Sequence, residues 1–288
     1  MDRISLKAPA KINLYLKVLG KRPDGYHEIE SLMQAIDLYD DITLEKSDII
    51  ELICDDPALP TDDSNLAVRA AEALQQRFYF PGVKIELRKN IPHGAGLGGG
   101  SSDAAFVLRG LCRLYGLAPT PSELALIAAR IGSDVPFFLG TGQALVEGRG
   151  EIVRSVKLPT AYRVLLMVPQ LNVSTGEIYG NLRFGLTREK EALLFKKRIT
   201  ISRFQSLLGS FANDLEDAAF REFPELTGLK KDLAAAGADF CQMSGSGSAI
   251  FGIFMSGGME KKTLAERLAP GIRAFECKPV TLQPYFAG

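Results

Sequence analysis

Between residues 11 and 18, Ile12, Leu14, Leu16 and Val18 alternate with Lys11, Asn13, Tyr15 and Lys17, the period-2 spacing of a strand with one apolar face. Lys11 and Asn13 therefore share the opposite face. The stretch 20–27 contains Pro23-Asp24-Gly25, in which Pro presets φ and Gly accepts a positive φ, so it predicts a turn between strands. Ser64-Asn65 supplies an N-cap for a helix in which Leu66, Ala70, Ala73, Leu74 and Phe78 recur at helical spacing. Val83, Ile85 and Leu87 alternate with Lys84, Glu86 and Arg88 as a half-buried strand. A glycine-rich loop over 94–100 follows, and Ser101-Ser102-Asp103 opens a helix carrying Ala104, Ala105, Leu108, Leu111, Cys112 and Tyr115 on its apolar side.

Thr120-Pro121-Ser122-Glu123 reads as N-cap, first-turn Pro and capping-box Glu, and that helix is expected to stop at Gly132. Ser133-Asp134-Val135-Pro136 is then expected to begin in a loop. From about Pro159 the pattern restarts, which predicts a boundary between residues 1–158 and 159–288. The second part reads as a strand over 162–168, a charged helical stretch around 188–198 and a helix over 225–236. A strand over 239–243, a Gly/Ser turn over 244–247, a strand over 248–255, a helix over 260–268 and a last strand near 277–282 complete it. Hairpin-linked strands mixed with helices predict an α+β fold in both parts.

Composition narrows the classes. The 34 Lys plus Arg balance 34 Asp plus Glu, which argues against a basic nucleic-acid binder and against a charged disordered tail. The apolar share of 46% and charged share of 24% suit a chain with a sizeable core. The longest apolar runs, over 164–169 and around 249–255, fall far short of the ~20 residues that cross a bilayer, so no membrane partner is expected. The N-terminal residues alternate charge with apolar side chains, so no secretory signal and a cytosolic location are expected. Four scattered cysteines and two histidines, without Cys-x-x-Cys spacing, make neither a disulfide framework nor a zinc site.

The glycines carry the chemistry. Five of the seven residues over 94–100 are glycine, so backbone N–H groups can approach a ligand unobstructed. The loop runs into a helix N-terminus, whose unpaired N–H groups and positive dipole end favour a phosphate. Gly94-Ala95-Gly96-Leu97-Gly98-Gly99 fits the letters G-x-G-x-x-G, but the acidic residue ~20 positions on that a dinucleotide fold requires is missing. No Gly-Lys-Ser/Thr closes a Walker loop, and the segments that mark protein kinases are absent.

Pro92-His93-Gly94-Ala95-Gly96-Leu97-Gly98-Gly99-Gly100-Ser101-Ser102-Asp103-Ala104-Ala105 resembles the ATP-phosphate loop of the GHMP kinases, and Ser244-Gly245-Ser246-Gly247-Ser248 resembles that family's C-terminal glycine motif. The galactokinase signature Gly-Glu-His-Thr-Asp is absent. Three further segments are similar to the branch of the family that serves the non-mevalonate isoprenoid route. They are Ala8-Pro9-Ala10-Lys11-Ile12-Asn13-Leu14, Arg22-Pro23-Asp24-Gly25-Tyr26-His27 and Gly132-Ser133-Asp134-Val135-Pro136-Phe137-Phe138. The resemblance implies a ribosomal-protein-like N-terminal domain with a left-handed βαβ unit and a ferredoxin-like C-terminal α/β sandwich.

It also implies an ATP-dependent small-molecule kinase whose alcohol substrate carries a cytidine diphosphate, with Lys11 and Asp134 as the catalytic pair. Phosphoryl transfer asks for positioning and positive charge, and a loop carboxylate beside a strand lysine could accept the hydroxyl proton. ATP is expected on Pro92 through Ser102, with Asn65, otherwise a helix cap, near the adenine. Asn13, Tyr26, His27, Tyr179, Gly245 and Ser246 are expected on the substrate, the aromatic rings as a platform for the pyrimidine. ATP use implies Mg²⁺, held mainly by phosphates and water because the sequence displays no carboxylate cage, with the Ser102 hydroxyl a candidate contact. The run Leu139-Gly140-Thr141-Gly142 lacks the basic residue that some relatives carry there. A monomer or weak homodimer is expected. The competing readings are a GHMP kinase for homoserine or a mevalonate-like acid, and a non-catalytic nucleotide-binding protein.

Overall fold

The structure, a computed structural model, describes residues 1–182, 198–255 and 271–285. The helix expected over 260–268, and all but Arg198 of the charged stretch over 188–198, lie outside them.

Strands β1 (Arg3–Lys21) and β2 (His27–Ser47) form a long antiparallel hairpin around the predicted turn. β2 was not legible from alternation, because Ser31 through Ile36 are buried on both faces. Its central place in the sheet explains this. One edge pairs with β1, while on the other its Asp41–Ser47 half pairs with β4 (Gly82–Arg88) and its Ile29–Gln34 half with β5 (Gln143–Gly148). β6 (Ile152–Ser155) extends the sheet beyond β5, and β3 (Ile50–Cys54) lies parallel to β4 at the other edge. Helix α1 (Leu66–Gln75) crosses between β3 and β4, giving the βαβ unit. Helices α2 (Gly99–Tyr115), α3 (Pro121–Ile131) and α4 (Val135–Leu139) complete this half, and α1 to α4 share one core with the sheet, to which α2 gives Ala104, Leu108 and Leu111 and α4 gives Phe137 and Phe138. The capping box of α3 forms as read, with Thr120 and Glu123 bonding each other's backbone N–H groups.

The second half is a four-stranded antiparallel sheet in the order β10 (Ile272–Cys277), β7 (Arg163–Pro169), β9 (Ile250–Phe254), β8 (Phe240–Met243). Alternate side chains of β7 serve opposite faces. Leu165 and Met167 pack with α7 (Glu216–Glu222) and α8 (Glu225–Ala235), whereas Val164 and Leu166 pack with Phe204 of α6 (Ile201–Leu208) and with Ile12 and Leu14 of β1. The two halves thus share a core, in which each fully buried Leu, Ile or Phe contributes about 1.5–3 kcal/mol.

The last strand ends at Cys277, not near 282. Pro279 offers no N–H to continue the ladder, and residues 278–285 instead cross to the first half. Asp37 donates its N–H to the carbonyl of Lys278, Val280 to Ala35, Leu282 to Thr141 and Tyr285 to Leu139.

Candidate active site

The glycine loop leaves β4 and enters α2 through three left-handed glycines, Gly94, Gly96 and Gly98, with φ of 65°, 73° and 71°. Gly98 is the N-cap, so α2 begins at Gly99, two residues before the Ser101 start expected from sequence. The first N–H groups of a helix have no intrahelical partner, and here they belong to glycines on the cleft wall. Gly96 is required twice over. Besides its φ, a Cβ there would collide with the carbonyl of Ser244 in the other half.

Backbone and side-chain bonds sew the loop to both halves. Lys11 donates its N–H to the carbonyl of Leu97 at 2.9 Å and Ala249 to that of Ala95 at 3.1 Å. The Ser244 hydroxyl donates to the Gly96 carbonyl at 2.9 Å. A cleft of about 920 Å³ opens between the loop, β1, α4 and the Ser244–Ser246 turn.

At its centre lie the two residues that the sequence singled out. Lys11 Nζ is 3.4 Å from Asp134 Oδ2, with the lysine side chain 4% exposed and the aspartate 26%. Lys11 Nζ also donates to Asn13 Oδ1 at 2.6 Å, as their common strand face requires. Asn13 in turn donates through Nδ2 to the Ser31 hydroxyl at 2.8 Å, which donates to the carbonyl of Tyr15 at 2.7 Å. This chain holds the Asn13 amide in one orientation. Ser133 and Asp134 lie in the turn after Gly132, so the segment begins in a loop as expected, but the helix starts directly after Asp134. Asp134 is the N-cap residue of α4, a helix of five buried residues, yet its side chain makes no capping bond. The apolar run Val135-Pro136-Phe137-Phe138-Leu139 anchors the backbone and leaves the carboxylate facing the cleft.

One end of the cleft is aromatic. His27 and Tyr179 stack with ring centroids 5.0 Å apart, and the Arg149 guanidinium lies 4.9 Å over the Tyr26 ring. Tyr179 therefore stacks on His27, and the partner of Tyr26 is a cation. Burial, and secondarily Lys21, hold His27 below its ordinary pKa. Burial and the Asp134 carboxylate hold the Tyr179 phenol above its own. Both rings are neutral at neutral pH. Gly245 and Ser246 line the same cleft, and the Ser246 and Thr175 hydroxyls are 2.8 Å apart.

The "GHMP kinases N terminal domain" model matches residues 65–142 and the "GHMP kinases C terminal" model residues 191–275. A protein of Bacillus cytotoxicus named 4-diphosphocytidyl-2-C-methyl-D-erythritol kinase is 40% identical over 281 residues, covering 96% of this chain and 95% of its own. The chain belongs to the GHMP kinases. A solved 4-(cytidine 5'-diphospho)-2C-methyl-D-erythritol kinase superposes with a TM-score of 0.78 at 36% identity, covering 96% of this GHMP kinase and 99% of that chain. A homoserine kinase of Cytophaga hutchinsonii shares the fold at a TM-score of 0.71 and 20% identity, over 99% of this chain and 96% of its own. Family membership makes this chain an ATP-dependent small-molecule kinase.

At the other end of this GHMP kinase's cleft, Asn65 caps α1 by accepting the N–H of Ala67 and donates through Nδ2 to the carbonyl of Pro60. Both ends of its amide are engaged. His93 stands at the rim, with Nδ1 3.5 Å from Asp56. Ser101 lines the cleft, but Ser102 is fully buried behind the loop and its hydroxyl has no partner among the described residues.

Sequence reading passed over Lys89, Asp40 and Asp103, which form a buried cluster under the loop. Burial raises the Asp103 carboxyl, against the pull of Lys89. Burial works to lower Lys89, but Asp103 and Asp40 outweigh it and hold it above its usual range. A lysine at a strand end is ordinarily solvated, so its spacing carried no signal. Arg149, in the β5–β6 turn, was passed over for the same reason.

Proposed function

We propose that this kinase transfers the γ-phosphoryl group of ATP to the 2-hydroxyl of 4-diphosphocytidyl-2-C-methyl-D-erythritol, a step of the non-mevalonate route to isoprenoid precursors. The observation that carries the reading is one continuous cleft with the glycine loop at one side, Lys11 and Asp134 at the centre and Tyr26, His27 and Tyr179 at the far end. A nucleotide phosphate, an alcohol and a pyrimidine are the three groups the reaction must hold at once.

In this reading the backbone N–H groups of Gly94 through Ser101 bind the phosphates, and Pro92, His93 and Asn65 flank the adenine. The cytosine is taken up by the Tyr26, His27 and Tyr179 rings, through stacking and base-edge hydrogen bonds. Asn13 positions the methylerythritol part, with Gly245 and Ser246 closing over it. Asp134 accepts the proton of the attacking hydroxyl. Lys11, beside it, supplies fixed positive charge where negative charge develops during transfer. The hydrogen bond to Asn13 and the ion pair with Asp134 hold it there before the reaction begins.

Among the described residues no cluster of three or more His, Cys, Asp or Glu could hold a metal ion. Asp134 is the carboxylate beside Lys11 on the cleft, and Ser101 offers a hydroxyl there. The Ser101 hydroxyl fits a Mg²⁺ that arrives on the phosphates and keeps several waters, which leaves Asp134 to the hydroxyl proton. When bound, the ion supplies charge neutralisation to the phosphates. Chelation should abolish turnover, with recovery on adding Mg²⁺.

A coupled assay of ADP release with a panel of alcohols tests the whole reading. The cytidylyl methylerythritol should be turned over, with homoserine, mevalonate and cytidine-diphosphate sugars near background. Turnover of homoserine or mevalonate alone would assign the chain to another branch of the family.

A further inference from the structure

The glycine loop has a closed neck. Lys89 precedes it and Asp103 follows it on the first turns of α2, fourteen positions later, and Lys89 Nζ donates to Asp103 Oδ2 at 2.6 Å. The same ammonium donates to Asp40 Oδ2 on β2. The other oxygen of Asp40 accepts the N–H groups of Asn90 at 2.6 Å and Ile91 at 2.9 Å, the residues that enter the loop. The three side chains are 6%, 0% and 3% exposed for Lys89, Asp40 and Asp103. A Cβ placed on Gly99 would lie 3.4 Å from Lys89 Nζ, so the ammonium sits directly beneath the first residue of α2.

Stability alone does not account for the cluster. A buried ion pair is commonly matched or bettered by apolar residues of the same volume, because desolvation offsets the attraction. What charged groups add is direction. The bonds tie the entering strand, the departing helix and the central strand β2 to one point, and a loop rich in glycine has little else to limit its backbone freedom. A phosphate cradle works only when its N–H groups are held in place before the ligand arrives.

We propose that Asp40, Lys89 and Asp103 are positioning residues for ATP, a three-point clamp that holds the span of the glycine loop and the start of α2 without acting on the alcohol substrate. The clamp rests on the reading of the loop as the ATP-phosphate site. It predicts a split: affinity for ATP depends on the cluster, whereas affinity for the alcohol does not, because Lys11, Asn13 and the aromatic end are held by other bonds.

The test uses the full chain with Asp103→Asn and, in parallel, an uncharged triple of Lys89→Met, Asp103→Leu and Asp40→Asn, the last keeping an acceptor for the Asn90 and Ile91 N–H groups. ATP affinity is read by calorimetry, KM by the ADP-release assay and folding by thermal unfolding. In Asp103→Asn the Kd and KM for ATP should rise about tenfold, with the alcohol KM within about twofold of the parent. The uncharged triple should unfold near the parental temperature and still bind ATP about tenfold more weakly. Parental ATP affinity in either folded variant, or equal rises in both KM values, would overturn the clamp. Failure of the unmodified chain to bind ATP would overturn the loop assignment beneath it.

Discussion

Asp134 stands at the start of a helix that it does not cap, and that unused position is its chemical opportunity. With no capping N–H on its oxygens among the described residues, the carboxylate is left to the cleft and to Lys11 at 3.4 Å. Asp134→Asn keeps the shape and removes the proposed proton acceptor, so kcat should fall about 100-fold or more while calorimetry returns an unchanged ATP Kd. A kcat within tenfold of the parent would take the proton-accepting role away from Asp134. His27 yields a prediction in pH. Its pKa lies below the ordinary 6.5, chiefly through burial, so the ring gains charge only as pH falls beneath that value. The KM for the cytidylyl substrate should be flat from about pH 7 to 8 and change only on acidification. An inflection near neutrality that vanishes in His27→Gln would contradict this.

Single elements show why some of the site was legible in the sequence and some was not. Lys11 and Asn13 followed from alternation along β1, and the glycine density of the loop marked a run of unobstructed backbone N–H groups before a helix, because both are local consequences of backbone geometry. The capping box of α3 and the Asn65 cap of α1 were readable on the same ground. The start of α2 was misplaced because glycine, a poor helix former, was assigned to the loop, whereas a left-handed Gly98 turns the chain into the helix early. β2 escaped notice because a strand buried on both faces loses the polar half of its pattern. The short α4 escaped because five apolar residues beginning Val-Pro look like a buried turn. The approach of Gly96 to Ser244 across the two halves is non-local and left no mark in spacing. Gly96→Ala places a side chain at positive φ against that carbonyl, at a cost of about 1–3 kcal/mol for the backbone alone. Its unfolding temperature should drop and its ATP KM rise, and an unchanged ATP KM would show that the loop tolerates displacement.

Over the whole molecule, formal neutrality conceals local charge. Lys11, Lys21 and Arg149 line one cleft, so an anionic substrate meets cations although the chain sums to zero. Among the described residues no helix is long and apolar enough to cross a membrane. The two halves are joined by more than a shared core. Residues 278–285 leave the second sheet and bond along the first, ending with the N–H of Tyr285 on the carbonyl of Leu139, the last residue of the helix that Asp134 begins. Arg109 adds a bond to the carbonyl of Gln283 at 2.7 Å and one to that of Phe138 at 3.3 Å. Truncation after Cys277 should therefore lower kcat more than it raises the ATP KM, because it unbraces α4 and leaves the glycine loop intact. Equal damage to both parameters, or none, would separate the strap from the carboxylate.

The strap also orders events during synthesis. The segment that braces α4 leaves the ribosome after both sheets have been made, so a nascent chain can hold a formed nucleotide loop while the helix bearing its carboxylate is still unsupported. The brace on α4 is then the last of these contacts that can form.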